Sequence, residues 1–341
     1  MIISVKQNRE NELNSLFQYL KKESLHYRYL DGQQIIIAPK LSVNTELSSF
    51  DVIEKITEID TPYQLASNKW KKQTSFDIKG VSVGSQLFSI IAGPCSVETE
   101  EQIFATAELL HKLGIKFIRG GAYKPRTSPY SFMGLGKKGL ELLSEAAKQY
   151  DLRVVTEIMD LSLLDEVYQY ADILQVGSRN MQNFYMLNEL GKIDKPVLLK
   201  RGMHAKVTEW LLAAEYVLSG GNEKVILCER GIRSFDPASR NVMDIGVIPL
   251  IKELSHLPII ADPSHGTGAA SRVESMAMAS TAAGANGLIV EVHPNPKQAL
   301  SDSAQAVNFN QFEHLISKVK MIVNALAAET NSTSALKLQT L

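Results

Sequence analysis

Eight short apolar runs, separated by stretches of helical periodicity, leave this 341-residue chain few folds to choose from. The runs cover 88–92, 117–119, 153–158, 173–176, 197–200, 225–228, 259–262 and 288–291. They read as nearly unbroken Val, Ile and Leu rather than alternating apolar and polar. A strand apolar on both faces is buried on both, as in a parallel sheet. Between most of them, at 100–113, 138–150, 161–170, 207–218, 271–283 and 309–328, apolar residues recur at helical spacing. Strand-then-helix repeated eight times predicts an α/β fold, a closed (β/α)8 TIM barrel. An open doubly wound sheet is the rival, but it seldom needs eight units.

The first 70 residues follow another pattern. Ile2–Val5 reads as a strand, Glu10–Lys22 as an amphipathic helix, Gln34–Ala38 as a strand and Asp51–Ile59 as a second helix, before the polar stretch 68–74. This predicts a small ferredoxin-like α+β domain at 1–70, ahead of a barrel at 71–330. The Ser/Thr-containing tail, 331–341, is expected to be mobile.

Charge and cysteine usage narrow the class. Lys and Arg number 36 against 37 Asp and Glu, so no global field recruits nucleic acid or an anionic membrane. No apolar stretch is long enough to span a bilayer and the amino terminus does not read as a signal peptide, so a cytoplasmic protein is expected. With two cysteines, Cys95 and Cys228, a disulfide framework is not expected and a thiolate ligand is.

In a barrel of this kind the chemistry sits where strands end. Cys95, His265, Glu291 and Asp302 each follow or close such a run. A cysteine, a histidine and two carboxylates suit Mn, Fe, Co, Zn or Cu better than Ca or Mg. His293, two residues past Glu291 on the same strand face, competes with it as a ligand. Taken singly, Cys95 reads as a small core residue and His265 as a core histidine; Cys228 reads as structural. Cations gather at the same ends: Arg119, Lys124 and Arg126, then Arg179, Lys200-Arg201 and Arg230. Some of these will pair with Glu157, Glu229 or Asp262, but a whole ring of buried cations implies a polyanionic ligand carrying phosphate and carboxylate.

The stretches IAGPCSVE (91–98), RGGAYKPRTSPYSFMGLG (119–136), VVTEI (154–158), QVGSRN (175–180), LLKRG (198–202), CERGIR (228–233), ADPSH (261–265), IVEVH (289–293) and ALSD (299–302) resemble the 3-deoxy-D-arabino-heptulosonate 7-phosphate (DAHP) synthase family. The resemblance runs from about residue 75 to 325 and is to the type I beta branch, which carries an N-terminal ferredoxin-like regulatory domain. It implies condensation of phosphoenolpyruvate with D-erythrose 4-phosphate and water, the entry to aromatic amino-acid synthesis. It also implies Cys95, His265, Glu291 and Asp302 as ligands of a divalent metal, Mn²⁺ first, with Fe²⁺, Co²⁺ or Zn²⁺ as the other candidates. By the same resemblance, Arg119, Lys124, Arg179, Lys200 and Arg230, with the Ser178 backbone, hold phosphoenolpyruvate. Arg126 and Thr127 grip the aldehyde's phosphate, and Asp302 also faces a sugar hydroxyl. For proton delivery to the new alkoxide the candidates are Lys124 and a water on the metal. Glu157 stands behind a lysine or the attacking water.

Tyrosine or phenylalanine as an inhibitor and a homotetramer are further implications. The related 3-deoxy-D-manno-octulosonate 8-phosphate synthases typically carry Lys-Ala-Asn-Arg-Ser where this chain has Lys124-Pro125-Arg126-Thr127-Ser128. That enzyme, and a catalytically silent barrel acting as a binding partner, are the alternatives. Relatives often place Gly after the aspartate ligand; here it is Ser303, so an altered turn is expected.

Overall fold

The computed structural model describes residues 1–23, 26–39, 45–84, 86–126, 128–329 and 337–338. Strands β1 (Ile2–Val5), β2 (Arg28–Leu30), β3 (Ile35–Ile37) and β4 (Ile53–Thr57) form an antiparallel sheet in the order β2-β3-β1-β4. With helices Glu10–Lys22 and Thr45–Ser48 between strands, the order is the βαββαβ of a ferredoxin-like unit. Leu16, Tyr19 and Leu20 of the first helix pack on one face of the sheet with Ile3, Val5, Ile36 and Val52.

One expectation fails here. The segment 51–59 is not a helix but carries β4, paired along β1 from Ile2↔Thr57 to Val5↔Ile53. Its apolar positions, Ile53, Ile56 and Ile59, fall three apart and mimic a helical face. Their β-branched side chains and an open edge of β1 favour the strand. β2, absent from the sequence reading, is three residues long and too short to show a period.

A hairpin, β5 (Ser75–Ile78) and β6 (Val81–Gly84), leads into eight parallel strands. These are β7 (Leu87–Gly93), β8 (Phe117–Arg119), β9 (Arg153–Glu157), β10 (Ile173–Val176), β11 (Val197–Lys200), β12 (Val225–Glu229), β13 (Ile259–Ala261) and β14 (Gly287–Glu291). Each pairs with the next, and β14 closes on β7 from Gly287↔Ser89 to Glu291↔Gly93, so the sheet is a (β/α)8 barrel. Two of its helices start at side-chain caps: Thr99 Oγ1 accepts from Gln102 N at 3.1 Å, and Asn183 Oδ1 from Met186 N at 3.1 Å.

The barrel interior is filled in layers. Ile91, Phe117, Val155, Ile173, Leu198, Ile226, Ile260 and Ile289, one from each strand, form a continuous apolar plug with Cys228, closed below by Ile78, Val81 and Val83 of the hairpin. Side chains alternate faces with a period of two, so the residues two further along point inward one layer higher. On six strands those residues are polar, Arg119, Glu157, Gln175, Lys200, Asp262 and Glu291, while β7 and β12 place Gly93 and Cys228 there. The register that buries the apolar plug thereby sets a ring of polar groups at the strands' carboxyl ends.

The N-terminal unit meets the barrel at the other end. Arg28 Nη1 donates to Ser219 Oγ at 3.0 Å, and Gln33 lines a crevice with Leu65, Trp70, Leu218, Glu223 and His256. Of the tail expected to be mobile, Lys337–Leu338 forms β15, parallel to β7 at Leu87 and Phe88; the rest of 331–341 lies outside the described residues.

Candidate active site

A cavity of about 310 Å³ opens at the carboxyl ends of the strands. Arg119, Lys124, Arg126, Glu157, Ser178, Arg179, Lys200, Arg230, His265 and Asp302 line it, so ten of the residues singled out from sequence converge there. Thr127 lies outside the described residues. Seven cationic side chains line the cavity, Arg240 being the seventh, against the two carboxylates of Glu157 and Asp302.

Cys95, Glu291 and Asp302 bring one donor atom each to within 4.8 Å of one another. The Cys95 thiol donates to Asp302 Oδ2 at 3.3 Å. His265 Nε2 lies 3.4 Å from Glu291 Oε1 and 3.8 Å from Asp302 Oδ2. Its other nitrogen, Nδ1, sits 2.7 Å from Asp262 Oδ2. That contact fixes the ring and leaves Nε2 for the cluster, the arrangement a metal-ligating histidine needs. Three donors are thus gathered, and His265, its ring oriented, lies beside the two carboxylates but outside that three-membered group; a mixed S, N and O set of this kind fits a divalent transition metal. His293 is not part of the group: its Nε2 faces Glu98 Oε2 at 3.3 Å and its Nδ1 accepts from Asn295 N.

Local sequence explains each placement. Gly93 ends β7 at φ 149°, where a Cβ would lie 2.1 Å from Arg119 O; only glycine passes this crossing and lets the chain turn toward Cys95. Asp262 caps the five-residue helix Pro263–Thr267, accepting from His265 N at 2.9 Å, which sets His265 one turn above it. In the loop of Asp302 the left-handed residue is Asp302 itself, φ 46°, and Ser303 is not left-handed, so the turn needs no glycine there.

The electrostatics follow from burial and pairing. Burial, then Glu291, pushes the Cys95 thiol up to about 12. Burial opposes charge on Glu291 and Asp302, but His265 and the neighbouring arginines outweigh it; Glu291 falls below the usual range and Asp302 to about 2. Burial also opposes the charge on Lys124, yet the Cys95 sulfur and Glu157 offset it, and its pKa lies above that of ordinary lysine. Lys124 Nζ is 3.1 Å from both Cys95 O and Cys95 Sγ, charged and ready to donate.

The cations divide into two groups. Arg119 pairs with Glu291 at 3.1 Å, Lys200 with Asp262 at 2.5 Å, and Arg201 with Glu229 and Asp244 at 3.0 Å each. Arg201 is thus a structural ion pair and does not line the cavity. Arg230 is buried, donates to Gly231 O, and among the described residues has no carboxylate in ion-pair contact. Burial lowers its pKa, as for a cation awaiting its counter-ion. Cys228 lies in the apolar plug, in its structural role.

Three contributors escaped the sequence reading. Asp262 enters the sequence pattern only as a partner for a cation, although Asp followed by Pro and then His at the third helical position signals a cap. Gln305 and Arg240, which contact the two carboxylates, carry no local signal.

A model of the DAHP synthetase I family matches residues 64–327. Phospho-2-dehydro-3-deoxyheptonate aldolase of Thermotoga maritima is 45% identical over 338 residues, 97% of this chain and 100% of that protein. 2-Dehydro-3-deoxyphosphooctonate aldolase of Syntrophobacter fumaroxidans is 30% identical over 262 residues, 72% of this chain and 90% of that one. The crystal structure of the Thermotoga maritima DAHP synthase superposes with a TM-score of 0.79 at 42% identity, covering 99% of this chain and 98% of that one. A truncated form of 3-deoxy-D-arabino-heptulosonate 7-phosphate synthase from Thermotoga maritima gives 0.74 at 45% identity, covering 81% and 99%. A family model that spans the barrel and a relative matched from end to end place this chain in the DAHP synthetase I family.

Proposed function

We propose that the chain joins phosphoenolpyruvate to D-erythrose 4-phosphate, taking up water and releasing phosphate, to form 3-deoxy-D-arabino-heptulosonate 7-phosphate. The observation that carries this reading is Arg230, buried and with no carboxylate in ion-pair contact among the described residues, in a cavity of seven cations that His265 and Asp302, the latter one of the Cys95, Glu291 and Asp302 cluster, also line. Such a site suits a small dianion that must be both held and reacted.

In this reading Arg119, Lys124, Arg179, Lys200 and Arg230 hold the phosphate and carboxylate of phosphoenolpyruvate, with Ser178 beside them. Arg126, at the outer rim, takes the aldehyde's phosphate together with Thr127. Cys95, His265, Glu291 and Asp302 would hold a divalent ion, Mn²⁺ first and Fe²⁺, Co²⁺ or Zn²⁺ next, whose Lewis acidity favours negative charge on the aldehyde oxygen. The enol carbon C3 forms a bond to the aldehyde carbon, and the ammonium of Lys124 gives its proton to the resulting alkoxide. Water adds at C2, where positive charge has developed, and the C2–O bond to phosphate then breaks. Glu157, whose Oε2 accepts from Gln175 Nε2 at 3.2 Å, is placed to accept the proton of that water.

The N-terminal unit is proposed to bind tyrosine or phenylalanine as a feedback inhibitor in a homotetramer. Among the described residues no helix is long and apolar enough to cross a membrane, in keeping with a cytoplasmic setting.

The test is phosphate release from phosphoenolpyruvate by chelator-treated protein, with Mn²⁺ restored and either erythrose 4-phosphate or arabinose 5-phosphate supplied. Turnover that requires the metal and the four-carbon sugar is expected. Turnover with the five-carbon sugar would assign the octulosonate reaction instead, and silence with both would leave a binding protein.

A further inference from the structure

Arg240 and Gln305 tie the two carboxylates of the cluster to each other. Arg240 Nη1 lies 3.3 Å from Asp302 Oδ1 and donates to Gln305 Oε1 at 2.7 Å. The other end of the same amide, Gln305 Nε2, donates to Glu291 Oε2 at 2.6 Å. Arginine only donates and an ionised carboxylate only accepts, so the amide has one orientation that satisfies both. Gln305 is buried, and its backbone N–H bonds back to Asp302 O at 3.1 Å, so the turn carrying Asp302 is held by the same residue.

This arrangement uses one oxygen of each carboxylate. Glu291 Oε2 and Asp302 Oδ1 are taken by the Arg240–Gln305 pair. The oxygens nearest His265 Nε2 are the other two, Glu291 Oε1 at 3.4 Å, which also accepts from Arg119 Nη1 at 3.1 Å, and Asp302 Oδ2 at 3.8 Å, which also accepts from the Cys95 thiol at 3.3 Å. We infer that Arg240 and Gln305 are positioning residues that hold Glu291 and Asp302 as one-oxygen ligands. With Cys95 and His265 the site then presents four donor atoms, which suits a transition-metal dication and not the six to eight oxygens that Ca²⁺ takes. The inference rests on the reading of this cluster as a metal site.

Arg240 also lines the substrate cavity, with 47% of its side chain exposed, so a direct contact to the aldehyde's phosphate is the competing role. Titrating Co²⁺ into the chelator-treated full chain and following thiolate-to-cobalt charge-transfer absorbance separates the two. The wild type is expected to develop the band and Cys95→Ala to lack it. Arg240→Ala and Gln305→Ala are expected to weaken Co²⁺ binding about tenfold or more, the usual cost of losing a partner of a metal ligand. Arg240→Lys, which keeps a charged donor, recovers most of that affinity. Gln305 is buried and its variant can fail to fold; Arg240→Ala, at a half-exposed position, decides the matter alone. Unchanged Co²⁺ affinity in Arg240→Ala overturns the inference, and a raised KM for erythrose 4-phosphate beside that unchanged affinity reassigns Arg240 to substrate. A wild type without the band overturns the metal-site reading, and the brace with it.

Discussion

Arg201 and Arg230 follow neighbouring strands and both are buried, yet their partners predict opposite responses to the same substitution. Arg201 neutralises Glu229, which is buried and whose pKa burial already raises. Arg201→Met leaves that carboxylate without its cation and is expected to cost about 3–5 kcal/mol of stability, read as a lower denaturant midpoint. Among the described residues Arg230 has no such partner. Arg230→Met is expected to leave the midpoint unchanged or raise it, while raising the KM for phosphoenolpyruvate about tenfold, as loss of a charge-assisted bond does. If Arg230→Met destabilises as Arg201→Met does, Arg230 is a structural cation too. Arg126 stands at the rim, donating to Phe132 O at 2.9 Å and Leu300 O at 3.4 Å. Arg126→Ala should raise the KM for erythrose 4-phosphate and spare that for phosphoenolpyruvate; equal weakening of both removes it from the aldehyde's phosphate.

Between the N-terminal sheet and the barrel, the segment around Leu65 is fastened by two groups, the half-buried Glu215 and the buried His256. Glu215 accepts from Leu65 N and Ala66 N at 2.9 Å each, and His256 Nε2 lies 2.6 Å from Leu65 O. A carbonyl only accepts, so Nε2 carries the proton and Nδ1, 2.5 Å from Thr74 Oγ1, accepts from that hydroxyl in the neutral ring. Burial holds the His256 pKa below the ordinary 6.5. The unfolded chain therefore takes up this proton at a higher pH than the folded one does. The contribution to stability is complete above about 6.5 and is lost as the pH falls toward the folded value. Thermal melts at pH 7 and pH 5 should show a smaller acid loss in His256→Gln than in the wild type; equal losses would clear His256. The sequence does not disclose this fastening, because its members sit at 65, 74, 215 and 256 and no local pattern joins them. By contrast the barrel and its ring were legible, since a period of two carries Phe117 to Arg119, Leu198 to Lys200 and Ile289 to Glu291. What escaped was of two kinds: the β2 and β4 strands, whose short or three-spaced apolar residues give a false period, and long-range partners such as Gln305.

At the scale of the whole molecule, the N-terminal unit and the cavity lie at opposite ends of the barrel. Arg28 reaches Ser219, and Ser219 ends the helix Val207–Ser219, just ahead of the turn that leads into β12, whereas Arg230 and His265 follow strands. A chain's own N-terminal unit therefore does not cover its own cavity. An aromatic inhibitor bound to that unit must act through a second copy of the chain or through the fastened segment at Leu65. Both routes need the unit and neither needs it for chemistry. Deleting residues 1–59 keeps Leu65 and Ala66 on Glu215 and the hairpin plug beneath the barrel. It removes Ile2, Leu30, Ile35 and Ile37 from the apolar cluster they share with Tyr63 and Leu65, so a lower melting temperature is expected. Phosphate release from phosphoenolpyruvate and erythrose 4-phosphate should persist at the wild-type kcat, while inhibition by tyrosine or phenylalanine disappears. Inhibition that survives the deletion would place the inhibitor on the barrel. Loss of turnover in a truncated chain that still melts cooperatively would make the unit a part of the catalytic assembly, not a sensor attached to it.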